Sequence, residues 1–161
     1  GRDRRLMRIR PFQRGDEAGL AALFHAAIHQ VAALHYSPEQ VNAWAPRVPD
    51  PARFLARGTD GRTLLLAVDE ADEPLAYGDV EVDGHIDHLF CRPDVAGTGV
   101  TAQLYEALEE AARSRSISML FTEASEPAKR FFAKRGFEVI ERRDFEINGV
   151  PIHNFRMEKR L

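Results

Sequence analysis

The sequence predicts an α/β fold in which a central mixed β-sheet is covered by α-helices on both faces. Short β-type runs alternate with amphipathic helical stretches along the chain. Their order is one strand, several helices, three strands, a helix, a strand, a helix and two strands. The dipeptides Asp83-Gly84 and Asn148-Gly149 join two pairs of runs as antiparallel hairpins.

Length and composition fit one globular domain over residues 1–161, and exclude several classes of function. The net charge of −3 provides no basic surface for nucleic acid and little attraction to anionic membranes. We expect no run of transmembrane length and see no signal peptide. The single cysteine fits a reducing compartment, so we expect a cytoplasmic protein. Residues 1–6, rich in arginine, are expected to form a tail outside the domain.

The first third of the chain predicts a strand followed by a long helix. Residues 6–12 form a short β-type run, and Asp16 is suited to cap the helix that follows. Apolar residues then recur at helical spacing over residues 20–34. His25 and His29 lie one turn apart on this helix. Because no third ligand stands at a suitable spacing, we interpret them as flanking residues of a packed helix rather than a metal site.

Two short helices and a proline-rich connector come next. Ser37 and Pro38 provide the cap and the first position of a helix that runs to about Trp44. Prolines at 46, 49 and 51 make the following stretch irregular, and residues 51–57 are predicted to form another short helix.

The remaining elements alternate between strands and helices. The predicted strands lie at residues 63–69, 75–82, 85–91 and 117–122, and a closing hairpin pairs residues 137–147 with 150–157. The predicted helices lie at residues 98–113 and 126–134, and Gly136 is suited to cap the second of them.

One loop, residues 93–101, carries the strongest functional signal. Gly97 and Gly99 allow successive backbone N–H groups to turn toward one point. The following helix adds its unpaired N–H groups and the positive end of its dipole. This combination favours a phosphate site, and the alternative is an ordinary strand–turn–helix connection. A dinucleotide fold would need a third glycine, and a Walker loop would need Gly-Lys-Ser/Thr.

The loop and its surroundings resemble the acyl-CoA-binding core of the GNAT superfamily of N-acyltransferases. The resemblance rests on residues 89–93, 104–112 and 128–137 and covers most of the chain. It implies a sheet whose central strands splay apart to form a cleft for acyl-CoA. The family's loop usually reads Gln/Arg-x-x-Gly-x-Gly/Ala, and this chain departs from it at Ala96 and Thr101.

The resemblance also implies where acetyl-CoA and the acceptor would bind. The implied cofactor contacts are Leu89, Phe90, Cys91, Ala96, Gly97, Thr98, Gly99, Val100, Thr101, Ser125, Phe131 and Phe132. The first three would offer backbone bonds to the pantetheine arm, the loop would hold the pyrophosphate, and the two phenylalanines would line the thioester end. The implied acceptor contacts are His35, Tyr36, Trp44 and Glu123. The structural alternative is that Trp44 anchors the core and that His35 and Tyr36 end a helix.

Acetyl transfer by direct attack requires a base for the ammonium and a donor for the thioester carbonyl. If the Asp-Gly dipeptide is the whole hairpin loop, Asp79 stands opposite His88 on one face of the sheet. A carboxylate there would raise the pKa of the imidazole, so His88 is our first candidate for the base. The alternative is a structural polar pair, and Glu81 and Glu123 are the second and third candidates for the base.

The departing thiolate also has to be protonated. Many family members place a tyrosine where this chain has Phe132, so Ser125, Tyr36 or a water would have to supply the proton. With a pKa of about 8.5, a thiolate also leaves without a dedicated acid near pH 8. Cys91 has no base aimed at it, and we interpret it as a packing residue rather than a nucleophile.

The sequence therefore predicts an enzyme that transfers an acetyl group from acetyl-CoA to a primary amine of a small molecule without a metal. The alternatives are a protein or peptide acceptor, or a weakly catalytic acetyl-CoA-binding module. A hydrolase is not favoured because no Gly-x-Ser-x-Gly elbow is present, and a nucleic-acid-binding protein is not favoured because there is no basic stripe. We predict a homodimer, because the closing hairpin has an edge strand that can pair with a second copy of the chain.

Overall fold

The computed structural model describes residues 7–30 and 32–161. The predicted tail at residues 1–6 and the helical position Val31 lie outside the described residues.

The elements follow the predicted order. The strands are β1 (Arg8–Pro11), β2 (Thr63–Val68), β3 (Pro74–Val80), β4 (His85–Ile86), β5 (Leu89–Cys91), β6 (Met119–Ala124), β7 (Glu138–Ile147) and β8 (Val150–Arg160). The α-helices are α1 (Glu17–Gln30), α2 (Pro38–Trp44), α3 (Pro51–Gly58), α4 (Val100–Ser114) and α5 (Glu126–Ala133). The one predicted strand that the structure divides is residues 85–91, which forms β4 and β5.

The strands form two four-stranded sheets that meet where β4 ends and β5 begins. The first sheet has the order β1-β2-β3-β5, and all its pairs are antiparallel. The second has the order β4-β6-β8-β7, in which β4 and β6 are parallel. The predicted α/β class with both parallel and antiparallel neighbours is confirmed.

Helices cover both faces of the first sheet because the side chains of β2 alternate between them. Leu64, Leu66 and Val68 pack against α1 and α3. Ala67 and the partly buried Leu65 belong to the opposite core, which is built on α4 and α5. The buried residues of α4 are Val100, Leu104, Tyr105, Leu108 and Ala112. The cleft described below opens between these two layers.

Local capping signals explain several helix ends. Ser37 accepts a hydrogen bond from the Gln40 N–H, and the Gln40 side chain accepts one from the Ser37 N–H, which is a capping box. Asp50 caps α3, and Gly136 with φ of +92° follows α5 as predicted. Asp16 instead accepts hydrogen bonds from the Gln13 N–H and from an arginine of β1.

The hairpin between β3 and β4 differs from the predicted two-residue turn. The Glu81 N–H donates to the His85 carbonyl at 2.8 Å, and only Gly84 in the loop has a positive φ. An Asp-Gly dipeptide favours a type I′ turn, but that turn needs two positive φ angles and therefore does not form here. Ile86 and Asp87 then face Val80 alone, which is a β-bulge, and this bulge separates β4 from β5.

Helix α1 and the 3₁₀ turn that follows it, Ala32–Leu34, form a longer apolar stretch than the sequence analysis expected. Among the described residues, the stretch Glu17–Leu34 is long and apolar enough to span a membrane by composition, with a mean hydropathy of 1.2. Its buried side chains pack in the protein core instead, among them Leu20, Leu23 and Ile28.

Candidate functional site

Strands β5 and β6 diverge from a shared point and leave a wedge between the two sheets. β4 pairs with β6 through His85–Phe121 and Ile86–Thr122, and the buried Thr122 hydroxyl donates to the Ile86 carbonyl at 2.8 Å. Beyond the bulge, β5 is hydrogen-bonded to β3 and to no other strand of the described chain. The splayed central strands implied by the sequence are therefore present.

The edge of β5 that faces this wedge presents backbone groups. Hydrogen bonds from the Asp79 N–H to the His88 carbonyl (3.0 Å) and from the Arg92 N–H to the Leu75 carbonyl (2.8 Å) set the phase of the antiparallel pair. Because bonding groups alternate along a strand, those of Leu89 and Cys91 point away from β3 and into the wedge. Phe90, between them, directs its backbone groups toward β3, contrary to the backbone contact expected of it.

We call the cavity in this wedge the strand cleft. It measures about 310 Å³, and most of its walls are apolar. Its lining residues are Ala27, Ile28, Ala32, Trp44, Leu89, Phe90, Cys91, Ala96, Gly97, Thr101, Ser125, Pro127, Ala128, Phe131 and Phe132. Most of the residues that the sequence assigned to a cofactor are thus brought together here. Burial raises the pKa of the Cys91 thiol, which keeps it protonated.

The glycine loop forms one end of the strand cleft. Gly97 and Gly99 have φ angles of +78° and +90°, and Gly99 stands at the N-terminus of α4 with no side chain capping it. A Cβ added at Gly97 would meet nothing within 4 Å, so the backbone there faces open space. The Thr98 hydroxyl donates to the Val95 carbonyl, whereas Val100 is buried in the core. The loop therefore has the backbone geometry of an anion site.

A further cavity of about 440 Å³, the loop cavity, extends from these glycines to α5. Arg130, Lys134 and Arg135 line it, and the Arg135 guanidinium lies 3.8 Å from the centre of the Phe131 ring. The sequence analysis did not predict these three cations as site residues. Arg130 and Lys134 stand four residues apart and so share one helix face, which is the signal that could have identified them.

The environment of His88 contradicts the predicted rise in its pKa. The ring stacks on Phe24, with 5.2 Å between centroids, and its Nδ1 lies 3.0 Å from the Tyr77 hydroxyl. Burial and the nearby Arg57 guanidinium lower the pKa of His88 to about 4. The imidazole is therefore neutral at pH 7 and is a weak base, although Asp79 does stand opposite it in the backbone.

The Asp79 carboxylate is fully buried and binds other groups. Its Oδ1 accepts hydrogen bonds from the N–H groups of Asp87 and His88, both at 2.9 Å. Its Oδ2 accepts from Arg57 at 2.6 Å and from Arg62 at 2.9 Å. Asp79 thus holds the bulge in place, which is a structural role rather than the predicted partnership with the imidazole of His88.

A different histidine lies between the two remaining candidate bases. His85 Nδ1 is 2.5 Å from Glu81 Oε1, its Nε2 is 2.6 Å from Glu123 Oε1, and its ring stacks on Phe121. The hydrogen bond with Glu123 and that with Glu81 raise the pKa of His85 to about 9, against the opposing effect of burial. A protonated His85 therefore donates to both carboxylates at neutral pH.

Two more cavities share lining residues with the strand cleft. The middle cavity, about 230 Å³, is lined by Phe24, Tyr36, Trp44, Asp87, His88, Phe90, Glu123, Ser125, Phe145, Ile147, Ile152, His153 and Asn154. The outer cavity, about 430 Å³, is lined by Phe24, Trp44, Ala45, Pro46, Arg47, Val48, Pro49, Asp50, Arg53, Phe54, Arg57 and His88. Trp44 borders the strand cleft and both of these cavities.

The predicted acceptor and acid residues occupy different places around these cavities. Tyr36 is buried, and its hydroxyl accepts a hydrogen bond from the Glu126 N–H at 2.6 Å. Burial raises the pKa of Tyr36, so it keeps a proton that it can donate. Ser125 lies where the strand cleft and the middle cavity meet, and its side chain does not cap α5. His35 is exposed and lies outside the lining of these cavities.

Within the described part of the chain, no group of three or more His, Cys, Asp or Glu residues is arranged to hold a metal ion. The rings of His25 and His29 lie 4.3 Å apart, and His29 Nε2 hydrogen-bonds the Ala45 carbonyl. Their surroundings agree with the interpretation as residues of a packed helix.

The position of His85 makes stability depend on pH in a defined direction. Because its pKa in the folded protein is about 9 against an ordinary 6.5, its contribution is complete below pH 6.5 and disappears as the pH rises through 9. Denaturant titrations at pH 6, 7.5 and 9 should therefore show a falling free energy of unfolding. His85→Gln should remove most of this fall, and the exposed His35→Gln should retain it. An equally steep fall in His85→Gln would contradict the assignment.

Comparison with known proteins agrees with this geometry. The family model described as an acetyltransferase (GNAT) domain matches residues 32–159. The chain is 30% identical over 151 residues to YafP of Escherichia coli K12, described as an uncharacterized N-acetyltransferase. The match covers 94% of this chain and 94% of YafP.

Solved structures resemble it closely. A GCN5-related N-acetyltransferase from Rhodopseudomonas palustris is 38% identical, with a TM-score of 0.86 over 96% of this chain and 95% of that chain. At the level of the fold, the chain also resembles yncA from Salmonella typhimurium, which was solved with its cofactor acetyl-CoA. The two are 18% identical, with a TM-score of 0.75 over 96% of this chain and 94% of that chain. Since the family model covers well over half of the chain, the protein belongs to the GNAT family and is an acetyltransferase.

Proposed function

We propose that the protein transfers the acetyl group of acetyl-CoA to a primary amine of a small molecule by direct attack. The observation that carries the proposal is the wedge between β5 and β6, where Leu89 and Cys91 present backbone groups. The glycine loop lies at one end of this wedge, and the middle cavity adjoins it at Ser125. The wedge thus joins a site for the acetyl donor to a site for the acceptor.

The acetyl donor would lie along the strand cleft. Its pantetheine arm would hydrogen-bond to the edge of β5, and its pyrophosphate would lie over Gly97 and Gly99. The family's usual side-chain donor is missing at Ala96. Arg130 and Lys134, on the wall of the loop cavity, would provide positive charge for the phosphates instead.

The structure favours Glu123 as the base. It lines the middle cavity, whereas Glu81 lies on the far side of His85 and does not. The amine nitrogen would bond to the acetyl carbonyl carbon as the C–S bond breaks. Its proton would pass to Glu123, and the CoA thiolate would take a proton to leave as the thiol. Tyr36 and Ser125 both line the middle cavity and are the candidates for supplying that proton.

A small acceptor fits the size of the acceptor side. The outer cavity measures about 430 Å³, which is in the range of small-molecule sites, and the adjoining middle cavity is smaller, at about 230 Å³. Two finer expectations, the homodimer and the cytoplasmic location, remain predictions. The homodimer prediction rests on the outer strand β7, where Val139 and Ile140 are exposed.

Calorimetric titration with acetyl-CoA tests the donor site. We expect a dissociation constant in the micromolar range, which corresponds to about −8 kcal/mol. Gly97→Ala should weaken binding about tenfold, because a residue with a Cβ is strained at positive φ and the loop would shift.

The matched control is Gly61→Ala. Gly61 has a φ of +99° and open space around its missing Cβ, but it lies in the turn before β2. Both variants should lose similar stability, and only Gly97→Ala should lose affinity for acetyl-CoA. Equal affinities in the two variants, or no binding to the unmodified protein, would refute the proposed donor site.

A further inference from the structure

The outer cavity combines aromatic walls with basic side chains. Phe24, Phe54 and Trp44 provide flat apolar surfaces. Arg47, Arg53 and Arg57 also line it, and they come from α3 and from the connector before α3. None of these arginines has a role in the cofactor site or in the proposed proton transfer.

The charge of the three arginines is only partly balanced. Arg57 Nη2 donates to Asp79 and Asp87, both at 2.6 Å, but its buried Nε has no hydrogen-bond partner. The side chains of Arg47 and Arg53 form no hydrogen bond or ion pair with any residue in the described ranges.

One carboxylate, Asp50, stands among the lining residues of the outer cavity. Its Oδ1 accepts a hydrogen bond from the Ala52 N–H at 2.9 Å as the cap of α3. The outer cavity therefore has an excess of positive charge, carried by the exposed side chains of Arg47 and Arg53, which is the pattern of a site for an anionic group.

The adjoining middle cavity has carboxylates on its walls, of which Asp87 is paired with Arg57 and Glu123 with His85. Its walls include the carboxylates of Asp87 and Glu123, and the neutral His88 lies between the two cavities with Phe24 and Trp44. A molecule that reaches from one cavity into the other would meet carboxylates at one end, rings in the middle and guanidinium groups at the other. Such a gradient recognises a molecule with an ammonium and an anion at opposite ends.

We infer that the acceptor is a small amine that also carries a carboxylate or a phosphate-type group, which Arg47 and Arg53 bind. The inference rests on the proposed function, because it places the reacting amine in the middle cavity beside Glu123. The apolar part of the acceptor lies between Phe24 and Trp44. Carboxylate and phosphonate share the chemistry that a guanidinium recognises, so both are included in the test.

The test compares amines that differ only in the anionic group. Benzylamine, para-(aminomethyl)benzoate and para-(aminomethyl)phenylphosphonate are titrated by calorimetry into protein saturated with CoA, which permits binding without reaction. Phenylalanine and phenethylamine form a second pair with a shorter spacing. We expect at least one anionic member to bind tenfold or more tightly than its uncharged counterpart. The preference for carboxylate or phosphonate then identifies the group.

Variants connect this preference to the arginines. Arg47→Met and Arg53→Met should each reduce the ratio of affinities several-fold, and the double variant should bring it near one. Arg142→Met, which removes the same charge from β7 and is paired only with Asp144 among the described residues, should leave the ratio unchanged. Because Arg47 and Arg53 are exposed, the variants are expected to fold, and denaturant unfolding checks this.

The outcomes separate the two proposals. If CoA binds and the anionic members bind no more tightly than the plain amines, or if no amine binds, the anionic-acceptor inference is overturned. An anion preference that survives in the double variant would overturn it as well. Failure to bind CoA would count against the proposed function instead, and the same amine titrations on the free protein would still measure the anion preference.

Discussion

Glu123→Gln is expected to lower kcat about a hundredfold or more while leaving the affinity for acetyl-CoA unchanged. The amide keeps the shape of the side chain but cannot accept the proton of the attacking amine. Glu123 and His88 both line the middle cavity, but only the Glu123 carboxylate carries a negative charge that attracts the ammonium of the acceptor, since His88 is neutral. Release of CoA thiol, measured with the fastest acceptor from an amine screen, gives kcat, and calorimetry gives the affinity.

Glu81→Gln is the matched control for this experiment. It removes the other carboxylate bonded to His85, on the side that does not line the middle cavity. A positioning role through His85 predicts a smaller loss of kcat and a shifted pH profile. If Glu81→Gln cost as much as Glu123→Gln, or if Glu123→Gln kept its activity, the base would have to be sought elsewhere.

Asp79→Ala is expected to lower the free energy of unfolding by about 3–5 kcal/mol. The substitution removes a fully buried carboxylate that binds the guanidinium groups of both Arg57 and Arg62, which then keep only their more exposed partners Asp87 and Asp60. It also leaves the N–H groups of Asp87 and His88 without their acceptor. Denaturant unfolding followed by circular dichroism measures the loss.

Asp60→Ala provides the comparison, because Asp60 pairs with the same Arg62 but is 43% exposed. Surface ion pairs contribute little, so its loss should stay below about 1 kcal/mol. Equal losses in the two variants would show that Asp79 does not hold the bulge as the hydrogen bonds indicate.

Much of the fold could be predicted from local signals. The Ser37–Gln40 capping box, Pro38 at the start of α2 and the Asn148-Gly149 turn with two positive φ angles all act within a few residues. The division of residues 85–91 into β4 and β5 could not be predicted in this way. It depends on the carboxylate of Asp79, which binds the bulge from the neighbouring strand.

The candidate site also has parts that local sequence signals predict and parts that depend on contacts between distant residues. The glycine loop is contiguous in sequence, so its residue types alone indicated an anion site. The contact between His85 and Glu123 depends on the parallel pairing of β4 with β6, and the two residues are 38 positions apart in the chain. The lowered pKa of His88 likewise comes from burial among rings of α1 and α3 and from the nearby Arg57, which no local pattern encodes.

The place of Trp44 has an experimental consequence. It is the only tryptophan in the chain, and it borders the strand cleft, the middle cavity and the outer cavity. Indole emission responds to the polarity and the collisions around the ring, so Trp44 fluorescence is expected to change when a ligand enters any of the three cavities. Stopped-flow fluorescence without any added label can therefore follow the order in which donor and acceptor arrive.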